Sequence, residues 1–163
     1  MSCTTVSLIV SANLRFTLDT NVLVYSIDSA AGMRHRSAGE ILAGAVRADC
    51  WLMLQAISEF FVVVRRKGMA SAPQAAALAE TWLTVFPCAA VSPGAVRTAL
   101  ADAVGGRASY WDALLIATAA EAGCTLILTE DLADGSALGG VEIHNPFDPA
   151  GGLTERARQL LGL

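Results

Sequence analysis

The sequence predicts an α/β fold with a mostly parallel central sheet and helices covering both faces. Three observations carry that expectation. Apolar runs of strand length alternate with helical stretches of ten or more residues. At 163 residues, with no internal repeat and no dividing linker, the chain is sized for one domain with a real core. A hydrophobic content of 54% excludes a disordered chain.

The elements follow in order. Residues 15–19 form a first strand, and Asn21–Ser26 begin the next helix. Arg36–Arg47 read as helical, with Ile41, Leu42 and Ala45 on one side. Residues 50–54, CWLML, form a second strand, followed by a helix Ile57–Lys67 closed by Gly68. Ser71 caps a helix to Phe86: Pro73 lies in its first turn, Leu78, Trp82 and Val85 recur at helical spacing, and Pro87 stops it. Ala89–Val91 is a short strand, and Ser92-Pro93 opens a helix to Val104. Ser109 opens another, through Ala122. Thr125–Leu128 and Val141–His144 complete the strands, and LTERARQLLGL reads as a separate short amphipathic helix.

Composition excludes several classes. No apolar run approaches the ~18–20 residues of a membrane helix, and MSCTTVSLIV lacks the basic start and cleavage pattern of a signal peptide, so the chain reads as cytoplasmic. Cys3, Cys50, Cys88 and Cys124 form no CxxC pair, and the last three lie among apolar residues as buried thiols. With His35 and His144 alone, a His-rich zinc site is excluded, and both histidines read as structural or surface residues. The single lysine, Lys67, stands in no P-loop pattern. A net charge of −4 argues against a broad basic face for nucleic acid, yet allows an acidic site that recruits divalent cations.

Four carboxylates have unusual places. Asp19 and Asp131 each end an apolar strand, Asp112 lies in the first turn of an otherwise apolar helix, and Glu59 follows the second strand in AISEFFVVV. In a doubly wound sheet the strand ends and helix starts open onto one crevice. Each acid also has a local reading. Asp19 can cap a helix, Ser109-x-x-Asp112 matches a capping box, and Asp131 can cap a turn towards Asp134-Gly135. Glu59 resists this, because Phe60, Phe61 and Val62 suggest a mostly buried helix, where an unpaired carboxylate is expensive. Gathered acids repel and raise one another's pKa unless a cation intervenes, and an all-oxygen set suits Mg²⁺ or Mn²⁺.

These segments resemble the PIN-domain ribonucleases, specifically the VapC-type toxins of bacterial toxin–antitoxin pairs. LDTNVLVYSID resembles the first family motif, SEFFVVVRRKG the second, SYWDALLIATAAEAG the third, and LILTEDLADG with GGVEIHNPF the closing stretch. The resemblance runs from about Phe16 to Phe147 and implies a PIN-like three-layer α/β/α sandwich over residues 15–149. It further implies a Mg²⁺- or Mn²⁺-dependent endoribonuclease that leaves a 5′-phosphate and a 3′-hydroxyl, forms a homodimer and is inhibited by a small antitoxin. Asp19, Glu59, Asp112 and Asp131 would be its catalytic acids, Asp19 and Asp112 its direct metal ligands, and Thr129 a supporting hydroxyl.

The segment 1–14 is longer than the family usually carries before its first strand, which leaves open a start further downstream, and residues 150–163 match no motif. Arg65 and Arg66 are candidate RNA contacts, although sequence alone favours a solvated helix C-terminus. Trp82 and Trp111 read as core, not as base-stacking platforms. Asp28 and Asp134 fall outside the expected cluster, and no DNA-binding motif is evident. Two other readings compete. A haloacid-dehalogenase-type phosphatase requires a second Asp where this chain has Asn21, which demotes it, and a catalytically inactive PIN-like interaction protein would not need the acidic set.

Overall fold

The computed structural model describes residues 14–163. Cys3 and all but Leu14 of the N-terminal segment therefore lie outside the described residues. The chain runs β1 (Phe16–Leu18), α1 (Thr20–Tyr25), a 3-10 turn (Ser29–Ala31), α2 (Met33–Ala45), β2 (Leu52–Met53), α3 (Leu54–Arg66) and α4 (Ala72–Val85). It continues with β3 (Cys88–Ala89), α5 (Pro93–Val104), α6 (Tyr110–Glu121), β4 (Leu126–Leu128), β5 (Ala137–Leu138), β6 (Val141–His144) and α7 (Glu155–Leu161).

Strands β1, β4 and β6 are parallel neighbours, with β5 antiparallel on the far edge of β6. A second parallel pair, β2–β3, joins the other side through a bridge between Phe16 and Cys50. The resulting order, 3-2-1-4-6-5, places a switch point at β1, whose neighbours β2 and β4 continue in opposite directions along the sheet. Strands β1 and β4 are buried at every position, as expected of parallel strands covered on both faces. Helix α1 packs against both α2 and α3, α3 against α4, and α7 against α2, while α5 and α6 form a closely packed hairpin. The α/β expectation holds.

Several boundaries moved for physical reasons. CWLML is a strand only at Leu52–Met53, because Leu54 already begins α3, three residues before the expected start. Ser71 does cap α4, and Gln74 reaches back to the Ser71 N–H, closing a capping box. Replacing it, Ser71→Ala, is expected to cost about 1 kcal/mol, a fall of about 3 °C in Tm by calorimetry. The C-terminal segment is helical but not separate: Leu153, Ala157 and Leu161 belong to the main core. Gly44 of α2 makes that docking fit, since a Cβ there would come within 2.7 Å of Leu161 Cβ.

Three burial expectations fail. The outer face of α3 is not buried: Phe61 and Val62 are exposed, with Leu54 at its start. Trp111 is 61% exposed, whereas Trp82 is in the core, edge-on against Phe60. Cys50 and Cys124 are buried thiols as expected, but Cys88 is only half-buried. An all-apolar helix pattern does not say which residues meet a neighbouring element, and Trp111 lies in the first turn of α6, ahead of the buried stretch Ala113–Ala119.

Candidate active site

The tripeptide Asp19-Thr20-Asn21, which interrupts the first apolar run, connects to two other segments, the end of β4 and α3. Asp19 ends β1 beside Thr129, which ends β4, because Leu18 pairs with Leu128 in the ladder. The Thr129 hydroxyl donates to Asp19 Oδ2 at 2.8 Å, and Asp19 Oδ1 accepts from the Thr20 N–H, capping α1. Thr20 Oγ1 donates to Glu59 Oε2 on α3 at 3.0 Å. Asn21 Nδ2 donates to Asp131 Oδ2 at 2.5 Å. Asp19 is thus both a helix cap and the centre of a polar cluster.

Asp112 enters from α6. Ser109 caps that helix by accepting from the Asp112 N–H, and its hydroxyl donates to Asp112 Oδ2 at 2.6 Å. The local reading is therefore half realised: the serine caps, while the carboxylate takes the serine hydroxyl and leaves the backbone N–H of Ser109 alone. The turn reading of Asp131 is not realised, because Asp134 takes the Asn145 N–H and the His144 ring while Asp131 turns to Asn21. Asp28 caps the 3-10 turn and stays outside the cluster, as does Asp134.

The acids act on one another electrostatically. Burial, with Asp19 only 8% exposed, pushes its carboxyl up to about 6, and the charges of Asp131 and Asp112 add to the rise. Donation by Thr129 and by the Thr20 N–H opposes it. The Asp131 carboxyl is likewise raised, first by burial and then by Glu130 and Asp112. Asp19, Asp112 and Asp131 therefore share one field. Glu59 reaches that group through Thr20 and is half-buried, held on its other oxygen by Gln55 Nε2 at 3.1 Å.

Among the described residues no three Asp, Glu, His or Cys side chains stand close enough to hold an ion unaided. Their oxygens are turned instead to Thr129, Asn21 and Ser109. The donor set still fits a hard divalent cation, because Mg²⁺ is commonly held by one or two carboxylates with the remaining positions filled by water. Burial first, and then the charges of Asp131 and Asp112, raise the Asp19 carboxyl, and a cation beside it would offset that cost.

The PIN domain family pattern matches residues 16–133, more than half the chain. The chain belongs to the PIN domain family. Solved structures agree on the fold of this PIN domain. The sarcin-ricin-loop-cleaving toxin VapC20 of Mycobacterium tuberculosis is 19% identical with a TM-score of 0.58, covering 71% of this chain and 91% of that one. A Klebsiella pneumoniae toxin–antitoxin complex is 20% identical with a TM-score of 0.58, covering 81% and 98%. VapBC2 of Rickettsia felis, bound to a promoter DNA fragment, is 14% identical with a TM-score of 0.59, covering 80% and 98%. Among curated proteins no match is found.

Several polar residues of this PIN domain were given no role at the site from sequence. Thr20, Asn21 and Gln55 position the acids, and the only sequence signal was two polar residues trailing Asp19. Glu130 was also missed. It accepts from the Tyr25 hydroxyl and from Arg34 Nε, and Arg34 lies over the Tyr25 and Phe147 rings. Arg34, one of the two arginines flanking His35, is thus paired. Arg65 donates to Ala70 O, whereas Arg66 lines a cavity next to Glu59. Both histidines are structural: His35 Nδ1 meets Tyr25 O, and His144 lies between Asp134 and Thr154. No helix among the described residues is long and apolar enough to cross a membrane.

Proposed function

We propose that this PIN domain is a Mg²⁺- or Mn²⁺-dependent endoribonuclease, the VapC-type toxin of a toxin–antitoxin pair. The observation that carries the reading is the set of hydrogen bonds from Thr129 to Asp19, Thr20 to Glu59 and Asn21 to Asp131, which gathers these acids beside the carboxyl ends of β1 and β4. Asp19 and Asp112 would hold the ion directly, and Glu59 and Asp131 would complete the pocket directly or through water. Thr129 fixes the Asp19 carboxylate, and Asn21 fixes that of Asp131. When bound, a divalent ion offsets charge on the scissile phosphate and lowers the pKa of a coordinated water. Burial of Asp19 keeps the ligand in one orientation, and the α1 and α6 N-termini favour negative charge beside it.

The reading includes a cytoplasmic setting, a homodimer and a small antitoxin partner. The toxin–antitoxin complexes among the similar structures support that partner. An antitoxin would lay an apolar helix on an exposed apolar face such as that of Leu54, Phe61 and Val62, with an Arg reaching the acids. Incubation of the purified chain with cellular RNA should give cleavage with Mg²⁺ or Mn²⁺ and none with EDTA. Cleavage that persists in EDTA would overturn the metal-dependent mechanism, and intact RNA with both ions would overturn the nuclease reading.

A further inference from the structure

Beside the acidic cluster lies an open cavity of about 460 Å³ lined by Gln55, Ser58, Glu59, Val62, Val63, Arg66 and Trp111. Its chemistry differs from that of the acids. The indole of Trp111 is 61% exposed and Val62 is 59% exposed, so the walls are apolar and open to solvent. The exposed indole is not a loose appendage. Gln55 Nε2 donates at 3.0 Å to Trp111 O and at 3.1 Å to Glu59 Oε1, so one amide fixes both the tryptophan backbone and the acid. Tyr110 packs edge-on against the indole, with ring centroids 5.2 Å apart. Trp111 also immediately precedes Asp112.

We propose that Trp111, with Val62 and Arg66, forms a stacking platform for one unpaired base of the RNA strand, an inference that rests on the ribonuclease reading. A rigid aromatic face beside a cation is the arrangement that single-stranded nucleic acid uses, with bases on the ring and phosphate on the arginine. Continuity with the cleavage site selects this occupant. Glu59 lines the cavity and belongs to the acidic cluster, and Arg66 lies two helical turns along α3, about 10.5 Å away. A strand whose scissile phosphate meets the acids would pass Trp111 before reaching Arg66. The charge pattern fits the same path: a guanidinium at the end far from the acids draws the backbone across the apolar wall. Stacking tolerates any base, so the platform would favour unpaired RNA without choosing its sequence.

The test uses the full chain in EDTA, so that binding is read without cleavage, and two probes: an unstructured oligoadenylate and the same oligomer with abasic residues. Tryptophan fluorescence should be quenched by the oligoadenylate, because Trp111 is the exposed indole while Trp82 is buried and Trp51 is bonded to Asp49. The base-bearing probe should bind about tenfold more tightly than the abasic one. Trp111→Ala should erase that difference, Trp111→Phe should retain most of it, and Trp111→Leu should not. Arg66→Gln should weaken both probes alike and flatten the salt dependence.

An unchanged base preference in Trp111→Ala would overturn the platform and leave a protein segment as the occupant. Indole emission that shifts only with protein concentration would overturn it in favour of a second copy. If the wild-type chain cuts RNA while stacking fails, this inference falls alone. If it cuts no RNA, the nuclease reading falls, whatever the stacking result.

Discussion

Asp19→Asn is expected to remove RNA cleavage, by about three orders of magnitude or more, and at the same time to stabilise the metal-free protein at neutral pH. The two effects have one cause. Asp19 is buried among acids, and its carboxyl is raised from 3.8 to about 6. Because the folded state binds this proton more tightly than the unfolded chain does, the associated stability is fully present below about pH 4. It is lost as pH rises through about 6, and by pH 7.5 the ionised carboxylate costs about 3 kcal/mol. An asparagine keeps an acceptor for the Thr20 N–H and can donate its amide to the Thr129 hydroxyl, so the mutant escapes most of that cost.

In EDTA the Asp19→Asn protein should therefore melt about 5 °C above wild type at pH 7.5, with the advantage gone at pH 4. Added Mg²⁺ or Mn²⁺ should raise the wild-type Tm and leave the mutant nearly unmoved. Calorimetry at two pH values, with and without metal, decides the matter. A mutant that melts below wild type at pH 7.5 would mean that Asp19 acts chiefly as a helix cap.

Leu161→Ala is expected to destabilise the whole domain by about 2–5 kcal/mol, lowering Tm by about 10 °C. Leu161 is buried in the main core and lies against Gly44, where α2 and α7 come too close for a side chain on the glycine. The surrounding backbone can collapse little, because the segment is also held by the Ser37 hydroxyl on Gly151 O and by a backbone bond from Thr154 to Pro146. Ending the chain at Pro149 removes Leu153, Ala157 and Leu161 together and should abolish cooperative unfolding. A truncated chain that still melts in one transition near the wild-type temperature would show that residues 150–163 are dispensable.

The alternation of apolar strand runs with capped helices was legible in the chain. Ser71, Ser92 and Ser109 each cap the helix expected of them, and Val141–His144 is a strand at its expected bounds. Start points were less legible where an apolar run passes directly from strand to helix, as at Met53–Leu54, because no polar cap marks the change. The short β5 had no signal either, since Ala137–Leu138 forms a strand only by pairing back on β6.

For the candidate site, the sequence supplied the four acids and the hydroxyl of Thr129, but not the partners that orient them. Thr20 and Glu59 are 39 positions apart, and Asn21 and Asp131 are 110 apart. No local pattern relates such pairs. Trp111 shows the same limit from the other side: its neighbours in sequence are those of a core residue, and its exposure depends on what α3 leaves uncovered.

By itself the sequence determined the α/β class and the helix caps, because these depend on composition, periodicity and nearest neighbours, and it offered the four acids as candidates. Only the tertiary structure decided that Asp19, Asp112 and Asp131 share one electrostatic field, that Glu59 joins them through Thr20, and that the C-terminal helix closes the core. The physical reason is distance. Coulombic coupling, burial and close packing depend on separation in space, and the chain sets that separation only once the parallel ladder of β1 and β4 has formed.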